Sequence, residues 1–143
     1  MQSIVDDLLV ELHTRGDCER LGFTRESLTT VLYEIGGKYI PESNSEPETR
    51  AFFLSLRIDE LVLARACAAG QNSAWEIFLT RFREKLYQAA LRIAREDFAA
   101  RELADILYAD LYGTTIREGR RVSKLASYTG RGSLEGWLRT VLS

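Results

Sequence analysis

A long apolar stripe at helical spacing dominates the middle of the sequence. Its members recur every three or four residues and are Trp75, Phe78, Leu79, Phe82, Leu86, Ala90 and Ile93. So wide a stripe has to be buried, because each large apolar side chain gains about 1.5–3 kcal/mol on leaving water. The stretch therefore predicts a long helix packed against other elements, and we interpret its stripe as core rather than as a cofactor site.

The same periodicity covers nearly all of the chain. Proline occurs only at Pro41 and Pro47, and the alternating runs typical of strands are absent. Gly16 and the pair Gly36-Gly37 follow apolar stripes and are expected to end the first two helices. The predicted helix N-caps are Thr24, Asp59, Ser73 (in a capping box with Glu76) and Ser133. The sequence therefore predicts an all-α protein, folded as a compact helical bundle.

A polar segment divides the chain. Residues 41–48 contain no apolar side chain except two prolines and have the composition of a linker. We therefore expect residues 1–50 to form an acidic helical N-terminal extension with its linker. Residues 51–143 are expected to form the main domain, of three to four helices, in which the third helix runs from about residue 99 to residue 112.

Charge is distributed unevenly along the chain. Residues 1–56 carry 5 basic and 10 acidic side chains, a net charge of −5, whereas residues 57–143 carry 14 and 11, a net charge of +3. The last thirty residues alone have a net charge of +4, from six basic and two acidic side chains. This asymmetry indicates a polyanionic partner at the C-terminal end, although a solvated basic face accounts for it equally well. Two roles stay open for the acidic extension: electrostatic cover of the basic end, or a helical hairpin that only packs on the domain.

Several classes of function are not indicated. Neither a metal-site spacing nor a glycine-rich loop after a strand occurs, and Cys18 and Cys67 are interpreted as reduced thiols. Without a paired nucleophile and base, we expect no enzyme and no cofactor. No apolar run is long enough to span a bilayer and no basic leader begins the chain, so we expect a cytoplasmic protein without a membrane partner.

The most informative pattern lies in the C-terminal segment. It contains a glycine-flanked arginine, a predicted N-cap, an aromatic side chain and a second arginine, which are Gly130-Arg131-Gly132, Ser133, Trp137 and Arg139. Amides at a helix start and nearby arginines meet phosphate backbones, and aromatic faces beside cations stack on unpaired bases. A turn that simply leads into a core helix, with Trp137 buried, accounts for the same residues.

The stretch from Asp59 to Leu142 resembles conserved region two of bacterial RNA polymerase sigma factors, most closely the extracytoplasmic-function type. Three pieces match in order. The first comprises Asp59-Glu60-Leu61-Val62, Ala68-Ala69-Gly70, Ser73-Ala74-Trp75-Glu76 and Phe82. The second comprises Leu86 to Ala94 and the stretch from Ala100-Arg101-Glu102-Leu103 to Tyr112. The third runs from Gly130 to Arg139 and is similar to the family signature Gly-Arg-Gly-Ser-Leu-x-x-Trp-Leu. The resemblance covers more than half of the chain, and its last piece is the most specific.

The resemblance implies two binding surfaces. In that family the third helix docks on the coiled coil of the beta-prime subunit of core RNA polymerase; by position, this surface comprises Glu102, Asp105, Ile106 and Ala109. The signature segment melts and holds the promoter minus-ten element, with the non-template strand captured single-stranded. The corresponding DNA-binding residues are Lys124, Tyr128, Arg131, Ser133, Trp137 and Arg139. An anti-sigma protein is a further partner that the resemblance implies.

The family pattern is incomplete in two respects. The polymerase surface of the family has Gln-Glu where this chain has Asp105-Ile106. The sequence ends at Ser143, before the rest of the promoter-reading helix, so we expect a region-two domain truncated at its C-terminal end, without the family's helix-turn-helix domain. Two functions therefore stay open: a sigma factor domain for transcription initiation, and a sigma-derived protein-interaction module that does not open DNA.

Overall fold

The computed structural model describes residues 1–113 and 115–143. Within those ranges, the elements in chain order are α1 Gln2–Arg15, α2 Arg25–Tyr39, α3 Glu46–Ser55, α4 Ile58–Ala68, α5 Asn72–Ala94, α6 Asp97–Tyr112, β1 Thr115–Arg117, β2 Arg120–Val122, a short 3₁₀ helix Lys124–Ser127 and α7 Leu134–Leu142. The prediction of an all-α bundle is confirmed. The ribbon of two antiparallel three-residue strands was not expected; Glu118 and Gly119, both with positive φ, form its two-residue turn.

The predicted long helix is α5, and it is central to the fold. Its buried side chains on the predicted stripe are Phe78, Phe82, Leu86 and Ala90, while Trp75 and Leu79 are half-buried against the core. Ile93 was also expected to be buried, but in the last turn of α5 it is 50% exposed. The stripe is therefore core as predicted, and its buried part ends at Ala90. After α5, Arg95 takes a left-handed conformation and Glu96 caps α6, so that α6 packs along α5.

Two of the predicted N-caps are confirmed. The Thr24 hydroxyl accepts a hydrogen bond from the amide of Ser27 at 3.0 Å, and the Ser133 hydroxyl accepts one from the amide of Gly136 at 3.1 Å. Each residue sits directly before its helix in extended conformation, where a short hydroxyl side chain reaches the first-turn amides.

The other two predicted helix starts are wrong. Helix α4 already begins at Ile58, which places Asp59 in its first turn instead of at its N-cap. Helix α5 begins at Asn72, so Ser73 lies inside the helix and forms no capping box. The carbonyl of Gln71 accepts the first helical hydrogen bond, from the amide of Trp75 at 3.1 Å. In both cases the helix begins one residue before the polar residue that was expected to cap it.

The interpretation of residues 41–48 as a linker is partly wrong. Ser45 and Glu48 form a reciprocal capping box, in which the Ser45 hydroxyl accepts from the amide of Glu48 at 3.3 Å and the Glu48 carboxylate accepts from the amide of Ser45 at 3.1 Å. Because these hydrogen bonds stabilise the charged carboxylate, the pKa of Glu48 is lowered. Helix α3 therefore begins at Glu46, inside the polar segment.

The expectation that Gly36-Gly37 ends the second helix is also wrong. Helix α2 continues to Tyr39, and Gly36 is buried within it. A Cβ atom at Gly36 would lie 3.0 Å from the ring of Phe53 and 2.6 Å from the sulfur of Met1. The glycine thus permits close packing of α2 against neighbouring elements, which a local sequence signal for a helix end does not reveal.

The N-terminal helices share a core with the rest of the chain. Side chains of α1 and α2 belong to the same buried cluster as those of α4 and α5. A Cβ atom at Gly16 would lie 2.8 Å from Val62 and 3.0 Å from Ile58, so the end of α1 lies directly against α4. These contacts support the alternative in which the extension packs on the domain.

Candidate functional site

The predicted arginine turn is anchored by a buried tyrosine. Tyr128 is only 2% exposed, and its hydroxyl donates a hydrogen bond to the carbonyl oxygen of Gly132 at 2.5 Å. Burial raises the pKa of Tyr128, which keeps the hydroxyl protonated as a donor. The carbonyl oxygen of Tyr128 accepts from Nε of Arg65 at 3.2 Å. Tyr128 was predicted to contact DNA, but the structure places its side chain in the core beneath the turn.

The other end of the turn is held by α4. The carbonyl oxygen of Gly130 accepts from the amide of Arg57 at 2.8 Å, and Gly130 has a φ of +77°, which favours glycine. A Cβ atom at Gly130 would lie 3.2 Å from Cβ of Leu61. The turn is therefore fixed to the scaffold on both sides, while Arg131 at its centre is exposed.

The start of α7 differs from the expected phosphate site. The amide of Leu134 donates to a carboxylate oxygen of Glu60 at 3.0 Å, and the amide of Gly136 donates to the Ser133 hydroxyl at 3.1 Å. Glu60 thus takes the position at the helix N-terminus that an anionic ligand favours. Side-chain cations, instead of these two amides, are the groups left to meet a phosphate.

Trp137 was predicted either to bind DNA or to be buried in the core, and its position is intermediate. The ring is half-buried, and its centroid is 5.7 Å from that of Tyr128 at a tilt of 59°. The indole therefore packs on the core and still reaches the surface beside the arginine turn.

Arg139 forms an ion pair within α7. Its guanidinium is 3.5 Å from the carboxylate of Glu135, which is also 3.2 Å from Nζ of Lys85 on α5. These residues and Arg92 line a groove of about 270 Å³ between α5 and α7. The sequence prediction missed Lys85 and Arg92; their positions off the apolar stripe of α5 were the available signal. Lys124 is exposed on the 3₁₀ helix.

The predicted polymerase surface lies on the outer side of α6. Glu102 and Asp105 are exposed, Ile106 is 64% exposed and Ala109 is half-buried. The helix buries Ala100, Ala104, Leu107 and Leu111. Leu103, which was expected in the core stripe, is only half-buried because the inward face is centred on the two alanines.

Phe98 extends this surface by one helical turn. It is 67% exposed and lies four residues before Glu102 and eight before Ile106, so all three share one side of α6. The sequence prediction did not include Phe98, although its helical spacing from Glu102 was a usable signal. We call Phe98, Glu102, Asp105, Ile106 and Ala109 the α6 surface.

Two searches of the described part of the chain gave negative results. Its His, Cys, Asp and Glu side chains form no group of three or more that could hold a metal ion, and none of its helices has both the length and the apolar character to cross a membrane. Both cysteines are free and buried, and burial raises the pKa of Cys18 to about 11 and that of Cys67 to about 12. Both are therefore thiols at neutral pH rather than reactive thiolates.

Comparisons with models of known protein families, with curated proteins and with solved structures found no match to this chain. The structural class of the protein is defined by its fold and its candidate site alone. It is an all-α protein with an acidic and apolar surface on α6 and an anchored arginine turn before α7. The resemblance to sigma region two stays a prediction.

Proposed function

We propose that this chain is a sigma-factor-like domain that binds core RNA polymerase through the α6 surface and single-stranded promoter DNA through the arginine turn and α7. It acts in the cytoplasm, by binding and not by catalysis. One observation carries the proposal: Arg131 is exposed on a turn fixed at both ends, close in sequence to the half-exposed Trp137. An exposed cation and a partly accessible aromatic ring in one segment are the two kinds of group that bind the phosphate and the base of an unpaired nucleotide.

The α6 surface supports the polymerase half of the proposal. Its two carboxylates lie four residues and one residue before the exposed Ile106, and the opposite side of the helix is buried against the core. Exposed apolar side chains among polar ones are typical of a protein-binding surface. The carboxylates favour a basic partner surface.

A titration with single-stranded DNA tests the DNA half. We expect a labelled oligonucleotide carrying a minus-ten element to bind, and Arg131→Ala to weaken that binding about five- to tenfold, because one phosphate contact is lost. The slope of log affinity against log salt should fall by about 0.7. The measurement is fluorescence anisotropy across a salt series.

Arg20→Ala is the matched control for this titration. Arg20 is also exposed and carries the same charge, but it lies in the acidic extension beside Asp17. Equal losses for the two variants would show that only net charge matters. No binding by the unchanged protein at low salt would remove the DNA half of the proposal.

The alternative function is a sigma-derived protein-interaction module that does not open DNA. Two observations favour it: Glu60 occupies the start of α7, and Tyr128 is buried. The α6 surface, with Phe98 and Ile106 exposed, fits this function equally well. Polymerase binding without binding of single-stranded DNA would establish the alternative.

Reversing one charge tests the α6 surface in both functions. We expect Glu102→Lys to weaken binding to the isolated beta-prime coiled coil at least tenfold, because like charges then face each other across the interface. Surface plasmon resonance measures the affinity. Glu11→Lys, an exposed change on α1, is the control and should have no effect. Unchanged binding by Glu102→Lys would mean that the α6 surface is wrongly assigned.

A further inference from the structure

A cluster of two cations and one aromatic ring joins the N-terminal extension to the arginine turn. The guanidinium of Arg131 lies 4.0 Å from the ring centroid of Tyr39, the last residue of α2. Nζ of Lys38 lies 5.5 Å from the same centroid. Tyr39 is half-buried, whereas Lys38 and Arg131 are exposed.

We propose that Lys38 and Tyr39 belong to the same single-stranded DNA-binding surface as Arg131, with Tyr39 acting as a positioning residue for the guanidinium. The proposal rests on the DNA-binding half of the proposed function and adds residues from the extension to it. The acidic extension then contributes to DNA binding, in contrast to an extension that covers the basic end.

The first argument is the order that Tyr39 imposes on Arg131. Arg131 stands between two glycines, which have no side chains that could restrain its guanidinium. A guanidinium 4.0 Å from a ring centroid is at stacking distance, and stacking leaves the N–H donors at its edge available for a phosphate. Ordering the side chain before binding lowers the entropy lost on binding.

The second argument is that α2 and the arginine turn are tied to one side chain. Arg65 donates to the carbonyl oxygen of Tyr128 at 3.2 Å and to both carboxylate oxygens of Glu34 on α2, at 3.2 and 3.3 Å. Arg65 therefore links the C-terminal half of α2 to the segment that leads into the turn. A rigid support is what a positioning contact needs, because a loose one would restore the freedom of Arg131.

The third argument is the state of the nearby carboxylates. Glu34 is bonded to Arg65, and Glu60 is bonded to the amide of Leu134 and lies 3.7 Å from the guanidinium of Arg81. These two carboxylates therefore have cationic or amide partners of their own. Lys38 and Arg131 lie near the same ring, so the two cations can contact one phosphate backbone together.

A double-mutant cycle tests the inference with the labelled single-stranded oligonucleotide. We expect Tyr39→Leu to weaken binding about fivefold, and Tyr39→Phe, which keeps the ring, to bind like the unchanged protein. Combined with Arg131→Ala, Tyr39→Leu should add much less than its effect alone, because the two residues act through one contact. Arg131→Lys keeps the charge without the planar guanidinium and should also weaken binding, which tests the contact without changing α2.

The outcomes separate this inference from the proposed function. If the unchanged protein does not bind the oligonucleotide, both are overturned. If it binds and loses affinity with Arg131→Ala but not with Tyr39→Leu or Arg131→Lys, the inference alone fails. A rise in affinity for Tyr39→Leu also overturns it, since Tyr39 would then cover Arg131. Circular dichroism of each variant establishes that the helical fold is retained.

Discussion

Replacing Arg65 by methionine is expected to lower the free energy of unfolding by about 2–3 kcal/mol. The Arg65 side chain is 9% exposed and donates to three acceptors, one of them the buried carbonyl oxygen of Tyr128. Methionine keeps most of the apolar stem, so the loss comes from the hydrogen bonds and from a carbonyl left without this donor. Denaturant unfolding followed by circular dichroism measures the change.

Glu34→Gln is the control for Arg65. The carboxylate of Glu34 is 57% exposed, and an exposed ion pair contributes at most about 1 kcal/mol. Glutamine also retains an acceptor for the guanidinium. The buried side of the contact should therefore matter more than the exposed side. If Arg65→Met and Glu34→Gln have the same free energy of unfolding, the hydrogen bond to the Tyr128 carbonyl does not account for most of the contribution of Arg65.

Gly16→Val is expected to lower the free energy of unfolding by about 2–3 kcal/mol. Gly16 has a φ of −79°, so its backbone accepts any residue and only space is limiting. A Cβ atom there would lie 2.8 Å from Val62 and 3.0 Å from Ile58, both of which are buried. Valine adds two further methyl groups and must push α1 away from α4.

Tryptophan fluorescence makes this measurement informative about domain organisation. The two tryptophans are Trp75 and Trp137, both within the predicted main domain. If α1 and the main domain unfold together, Gly16→Val shifts the fluorescence transition to lower denaturant. Gly37→Ala is the control and should raise the free energy of unfolding. A Cβ atom there meets nothing within 4 Å, and alanine favours a helix over glycine by about 1 kcal/mol. An unshifted transition for Gly16→Val would mean that the extension unfolds separately.

Local patterns in the sequence were sufficient for much of the fold. The stripe through Phe78, Phe82 and Leu86 predicted the central helix because burial follows directly from helical periodicity. The caps at Thr24 and Ser133 were predictable because a cap uses amides only two or three residues away. Prediction failed at Gly36, where packing against Phe53 outweighs the local tendency of glycine to end a helix.

The candidate site shows the same division. Exposure of Glu102 and Ile106 follows from their position on α6 relative to Leu107 and Leu111, so the sequence alone placed them outside the core. The burial of Tyr128 was not predictable, because it depends on packing against segments that are distant in the sequence, among them the one that carries Arg65, 63 residues away.

The amino-acid sequence by itself determined the helical class, the central stripe and the arginine turn with its cap, since each depends on residues within a few positions of one another. Only the tertiary structure decided that Glu60 occupies the start of α7 and that Tyr39 lies against Arg131. Glu60 and Leu134 are 74 residues apart, and contacts at such separation have no periodic trace in the sequence. They form when helices pack, and the packing decides which arginines remain available to a partner.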